Sequence, residues 1–124
     1  MKSDNNNFAV GTDIETISRF RKFNNNVNDP FLTKVFTKGE LTYCLSTKNP
    51  AQHLAVRYAG KEATIKALGG LGKKNLEYKD IEIIREDNGV PKLSFTNKNM
   101  AAINISISLS HCQDYAIATV IINF

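Results

Sequence analysis

The chain has 124 residues, 42% of them hydrophobic and 23% charged, enough to bury one core but too short for a second catalytic module. Its net charge of +4 favours an anionic partner without choosing among nucleic acid, a phosphorylated ligand and an acidic protein. Two cysteines, Cys44 and Cys112, exclude a disulfide scaffold, no Cys/His spacing suggests zinc, and a reducing, cytoplasmic setting is the default expectation.

Residues 1–7 are expected to be a polar leader and residues 8–124 a single domain, with no export signal and no apolar run long enough to span a bilayer. Phe8, Val10 and Thr12 alternate as in a short strand. Asp13 then precedes Ile14, Ile17 and Phe20 at helical spacing, the position of an N-cap. Asn24 to Pro30 interrupts the pattern and Phe31 to Phe36 resumes it. Thr37-Lys38-Gly39-Glu40 reads as a capping box opening a helix through Leu41 and Leu45, which Lys48 to Pro50 breaks. Ala51 to Leu68 is the main helix, ended by Gly69, Gly70 and Gly72. Ile81 to Arg85 and Lys92 to Phe95 flank an Asp87-Asn88-Gly89 turn as a hairpin. Ile105 to Ser110 alternates strictly, His111 to Asp114 forms a loop, and Tyr115 to Ile122 closes the chain as a strand. Helices first and antiparallel strands second predict a small single-domain α+β fold, an antiparallel sheet packed on a long buried helix.

On the main helix, Leu54, Tyr58, Ile65 and Leu68 form one apolar stripe and Val56, Ala59, Ala63 and Ala67 another on the opposite side. Such a helix is enclosed, with its charges at the seams: Arg57 with Lys61, and Glu62 with Lys66. Ordinary i,i+4 contacts would explain these charges, and so would a ligand, because uncompensated burial is very costly. Asp13 is likewise open between a helix cap and a functional carboxylate, and His111 between a surface loop residue and a catalyst. Gly69-Gly70-x-Gly72 follows a helix and lacks the Lys-Ser/Thr of a phosphate loop. No recognition helix, aromatic strand or Arg-rich run supports nucleic-acid binding.

In this order the segments resemble the holo-acyl-carrier-protein synthases, the short form of the 4′-phosphopantetheinyl transferases. Gly11-Thr12-Asp13-Ile14 with Arg19 is similar to the family's G-x-D-I-x-x-x-x-R opening. Phe36-Thr37-Lys38-Gly39-Glu40-Leu41 is similar to (F/L)-T-x-x-E-L, and Arg57-Tyr58-Ala59-Gly60-Lys61-Glu62-Ala63-Thr64-Ile65-Lys66-Ala67-Leu68 to R-(W/F)-A-A-K-E-A-x-x-K-A-(L/F), with Gly60 where Ala is usual. Asn88-Gly89-Val90-Pro91 resembles N-G-x-P, and Ser108-Leu109-Ser110-His111 resembles S-(I/L)-(S/T)-H.

The resemblance implies a fold of that family and transfer of the phosphopantetheine arm of coenzyme A to a serine of apo acyl carrier protein, in support of fatty acid biosynthesis, releasing adenosine 3′,5′-bisphosphate. It implies Mg²⁺ held by Asp13 and Glu62, in keeping with a cation that binds through one or two carboxylates plus substrate phosphates. Lys66 would offset charge at the diphosphate. Arg57, His111 and Lys48 would hold CoA phosphates, Lys61 would be a second-line phosphate contact, and Ser110 would accompany His111. Asn88, Gly89 and Pro91 would shape the nucleotide end of the pocket. Arg19 and Arg21 would dock the acidic carrier protein. A homotrimer with active sites between subunits is also implied. An ordered water, Glu62 or a carrier-protein carboxylate remain alternatives for the proton acceptor. A noncatalytic CoA-binding module and an RNA-binding accessory protein are the competing classes.

Overall fold

Strand alternation runs further along the chain than a helix start at Asp13 allows. In the computed structural model, which describes residues 8–23, 28–72, 75–96, 100 and 103–123, β1 spans Phe8–Thr16. The leader 1–7 and the Asn24–Asn26 cluster lie outside the described residues. Phe8, Val10, Thr12, Ile14 and Thr16 face outward, while Ala9, Gly11, Asp13 and Glu15 face the long helix. Asp13 is therefore a mid-strand residue opposite Ala118, not an N-cap. The β-branched side chains at Val10, Thr12, Ile14 and Thr16 favour the pleat, and this preference outweighs the local capping pattern. The expected helix after Asp13 is a 3₁₀ helix, Ile17–Phe23, which buries Ile17, Phe20 and Phe23.

α1, Pro30–Val35, starts at Asp29, whose side chain accepts the Phe31 N–H at 2.8 Å. α2, Lys38–Leu45, opens on the expected capping box between Thr37 and Glu40. α3, Pro50–Gly70, is enclosed on both apolar sides; Leu54, Ala59, Ala63, Ala67 and Leu68 are all buried. Arg57 and Lys61 are buried too, at 5% and 0% exposure, so they do not sit at a water-facing seam.

β2, Ile81–Arg85, and β3, Pro91–Phe95, form an antiparallel pair whose turn places Gly89 at φ 85°, a left-handed conformation that glycine adopts without strain. β4, Asn104–His111, and β5, Tyr115–Asn123, are antiparallel, and β1 joins them in the order β1-β5-β4. His111 ends a strand instead of beginning the loop. β5 is central and turns Ala116, Ala118, Val120 and Ile122 onto α3.

Gly11 fixes how β1 meets α3, since a Cβ there would lie 1.8 Å from the Ala63 carbonyl oxygen. The outer sheet face remains apolar: Phe8, Val10, Ile14, Tyr115, Ile117 and Ile121 are between 41% and 64% exposed. No helix among the described residues is long and apolar enough to cross a membrane.

Candidate active site

The close approach at Gly11 carries the next inward residue, Asp13, to the C-terminal half of α3. Lys66 Nζ lies 3.1 Å from Asp13 Oδ1 and donates to the Thr12 carbonyl at 3.2 Å. The expected Glu62–Lys66 pair on one helix is thus replaced by a strand–helix pair, because Lys66 is exposed and reaches Asp13 across the groove. Asp13 Oδ2 is buried and accepts no hydrogen bond. Glu62 accepts the Tyr78 hydroxyl at Oε2, 2.8 Å away. Glu15, one pleat beyond Asp13, joins them; burial and then the neighbouring Asp13 carboxyl raise it to about 7, Glu62 adds to the rise, and Arg19 opposes it.

These donors suit a hard cation. Among the described residues no set of three or more His, Cys, Asp or Glu side chains is arranged to hold a metal alone. Mg²⁺ needs only one or two carboxylates when substrate phosphates complete its shell, and a buried carboxylate oxygen without a donor is the kind of atom it would satisfy.

Lys61, expected at a phosphate, is a structural cation instead. Its ammonium pairs with Glu40 at 2.6 Å and donates to the carbonyls of Val35, Tyr78 and Ile81. Burial lowers its pKa while Glu40 opposes the fall. Four oxygens surround a fully buried ammonium, so no donor is left for a ligand. Glu40 also accepts the Ile83 N–H, tying α2 to β2.

The cationic residues gather elsewhere, in a cleft of about 200 Å³ between the start of α3, the β2–β3 turn and the end of β4. Arg57, Gly89, Pro91 and His111 line it, together with Gln52, His53 and Arg85, which had not been anticipated. Arg57 donates to the carbonyls of Ile83 and His53 and lies over the Tyr43 ring at 4.8 Å. Arg85 approaches the same ring at 5.9 Å, and His53 meets it edge-on. Gln52 and His111 are hydrogen-bonded at 2.9 Å. Burial, then the charges of Arg57, Arg85 and His111, lower the pKa of His53. No carboxylate pairs with Arg57 among the described ion pairs, so the cleft is a cationic site without an internal counter-ion.

Other expected residues are placed apart from both clusters. Asn88 shapes the turn by accepting the Val90 N–H at 3.0 Å. Lys48 lies in an adjoining cleft with Arg21 and Cys112. Ser110 is on the face of β4 opposite His111, because successive strand residues alternate, and does not line the cationic cleft. Arg19 is paired with Glu15 at 3.1 Å and stacked over the Phe20, Phe31 and Tyr58 rings, so only part of its charge is available for docking.

The missed residues differ in how visible they were. His53 precedes Arg57 by one helical turn, and Glu15 follows Asp13 at strand spacing; both are periodicity signals. Tyr78 reaches Glu62 from a separate segment, with no local pattern to announce it.

An acidic pair with a lysine, and a phosphate-sized cationic cleft, define a protein equipped to handle a polyphosphate ester. The chain belongs to the 4′-phosphopantetheinyl transferase superfamily, whose sequence model matches residues 9–120. It is 45% identical over 118 residues to the holo-[acyl-carrier-protein] synthase of Chlamydia muridarum, covering 92% of this chain and 93% of that protein. The ACPS–CoA complex of Chronobacterium ammoniagenes has a similar structure, with a TM-score of 0.79 at 25% identity over 95% of this chain and 98% of the other. The Helicobacter pylori holo-[acyl-carrier-protein] synthase in complex with coenzyme A matches with a TM-score of 0.75 at 28% identity, over 91% and 98%.

Proposed function

We propose that this protein is a cytoplasmic, Mg²⁺-dependent holo-acyl-carrier-protein synthase that moves 4′-phosphopantetheine from coenzyme A to a serine of apo acyl carrier protein. The observation that carries the reading is the pairing of Asp13, Glu62 and Lys66 on one side with a cationic cleft lacking a counter-ion on the other. The serine hydroxyl oxygen forms a bond to the β-phosphorus as its proton passes to a base, the bond from that phosphorus to the bridging oxygen breaks with its electron pair going to that oxygen, and adenosine 3′,5′-bisphosphate leaves. Mg²⁺, bound at Asp13 and Glu62, would supply neutralising charge to the diphosphate. Lys66, already at Asp13, offsets charge developing on the phosphoryl oxygens. Arg57, Arg85 and His111 hold the nucleotide phosphates, and the Gly89–Pro91 turn shapes that end of the cleft.

The two clusters lie on different sides of α3. Arg57 and Glu62, five positions apart at 3.6 residues per turn, point about 140° away from each other. A single chain therefore presents two half-sites, which supports catalysis between subunits of a homotrimer. The exposed apolar sheet face is the surface such an assembly would cover. Arg21 and Lys22, exposed in the last turn of the 3₁₀ helix, are the freest charges for an acidic carrier protein.

Incubation with apo carrier protein, CoA and Mg²⁺ should yield the phosphopantetheine adduct by mass spectrometry. Asp13→Asn and Glu62→Gln should each lower the rate at least about a hundredfold, with folding retained, by analogy with loss of a single electrostatic stabiliser. CoA binding without any adduct would make the protein a noncatalytic CoA module, and near-normal rates in both variants would remove the metal assignment.

A further inference from the structure

We infer that Tyr78 is a positioning residue for the metal-facing carboxylate of Glu62, held in place by Lys61. The inference rests on the Mg²⁺ reading above. Lys61 and Glu62 are consecutive on α3, and both engage the same distant residue: Lys61 Nζ donates to the Tyr78 carbonyl at 3.0 Å, and the Tyr78 hydroxyl donates to Glu62 Oε2 at 2.8 Å. The Tyr78 ring packs against Tyr58 at 5.7 Å between centroids. Its segment, the 3₁₀ turn Tyr78–Asp80, is closed at its start by Asp80, whose carboxylate accepts the Glu77 N–H at 2.8 Å while its own N–H donates to the Glu77 carbonyl. Tyr78 is thus fixed at its backbone and at its ring, and its hydroxyl, beside that of Tyr58, donates to Glu62.

That arrangement gives the Lys-Glu dipeptide of the central motif a division of labour in this chain. Lys61 is closed off by Glu40 and three carbonyls, so its service to the site is to anchor the turn that carries Tyr78. The phenol occupies one oxygen of Glu62, selects one side-chain orientation and leaves the other oxygen open to a cation. Without this donor, the Glu62 carboxylate, which shares its field with Glu15, is free to rotate away. Outer-shell partners that orient a metal ligand typically contribute 10- to 100-fold in metal affinity, and Phe at position 78 would keep the ring packing while deleting only the donor.

The chain has four tyrosines and no tryptophan, so its near-ultraviolet protein signal at wavelengths beyond the phenylalanine band is tyrosine alone. Adding Mg²⁺ to the CoA-saturated wild-type protein should perturb that tyrosine signal. Tyr78→Phe should lose most of the perturbation and need roughly tenfold more Mg²⁺ for half-maximal transfer, with the KM for CoA and the Tm close to wild type. An unchanged Mg²⁺ requirement in Tyr78→Phe, while Glu62→Gln is inactive, overturns the positioning role and leaves the metal reading standing. Wild-type transfer that needs no Mg²⁺ overturns both. Should Tyr78→Phe fail to fold, the wild-type titration decides alone, and a tyrosine signal indifferent to Mg²⁺ overturns the inference.

Discussion

Two glycines at different contacts between α3 and the strands have opposite tolerances. At Gly11 an added methyl would stand 1.8 Å from a backbone oxygen of α3, and no side-chain rotation relieves it. β1 would have to lift, drawing Asp13 away from Lys66. At Gly60 the methyl would meet the terminal carbons of Ile83 at 2.5 Å and Ile107 at 3.1 Å, both of which can turn aside. Alanine there also gains about 0.8–1 kcal/mol of helix propensity. Gly11→Ala is therefore expected to lose about 1–3 kcal/mol or more of stability, together with most transfer activity. Gly60→Ala should stay within about 1 kcal/mol of wild type. Urea unfolding of the two variants checks both values, and equal losses would show that the strand–helix approach is not what Gly11 protects.

At the scale of elements, the cleft between α3, the β2–β3 turn and β4 should sense pH through His53. Burial and the charges of Arg57, Arg85 and His111 hold its pKa below the usual 6.5, so it is neutral in the free protein at pH 7. A phosphate entering the cleft favours the protonated ring, so binding takes up a proton and CoA affinity rises as pH falls from 7 towards the lowered pKa. Calorimetry in buffers of different ionisation enthalpy should show this uptake. His53→Gln should reduce it to what the 3′-phosphate itself contributes, while binding at pH 8 changes little. Identical proton uptake in the variant would place the phosphate away from His53. The helices, the hairpin and the capping box were legible because their determinants are local, such as Thr37 with Glu40 or Asn88-Gly89. Asp13 was misread for the same reason, since its role in β1 depends on pairing with β5, more than a hundred residues on. The resemblance implies a phosphate contact for Lys61 and helical spacing puts it at a seam of α3, but neither shows that Glu40 waits there.

For the whole molecule, the proposed site shared between subunits depends on the roughly 140° that separates Arg57 from Glu62 around α3. Sites between subunits are implied by the resemblance and not by the sequence pattern alone, because the azimuths of Arg57 and Glu62 matter only once β1 and the β2–β3 turn are placed around α3. If the trimer joins the carboxylate side of one subunit to the cleft of the next across the sheet face bearing Val10 and Ile121, two inactive variants should rescue each other. Asp13→Asn disables only the carboxylate half. Arg85→Ala combined with His111→Ala disables only the cleft half, and both of these residues are exposed, so the fold should tolerate their loss. In a ring where each site takes one half from each neighbour, random mixing in equal amounts unites two intact halves at about a quarter of the sites. Co-expressed or subunit-exchanged mixtures should therefore recover about a quarter of the wild-type rate, whereas either variant alone stays near zero. The mixture would remain inactive if each chain carried a complete site, and a protein that sediments as an active monomer would remove the shared site altogether.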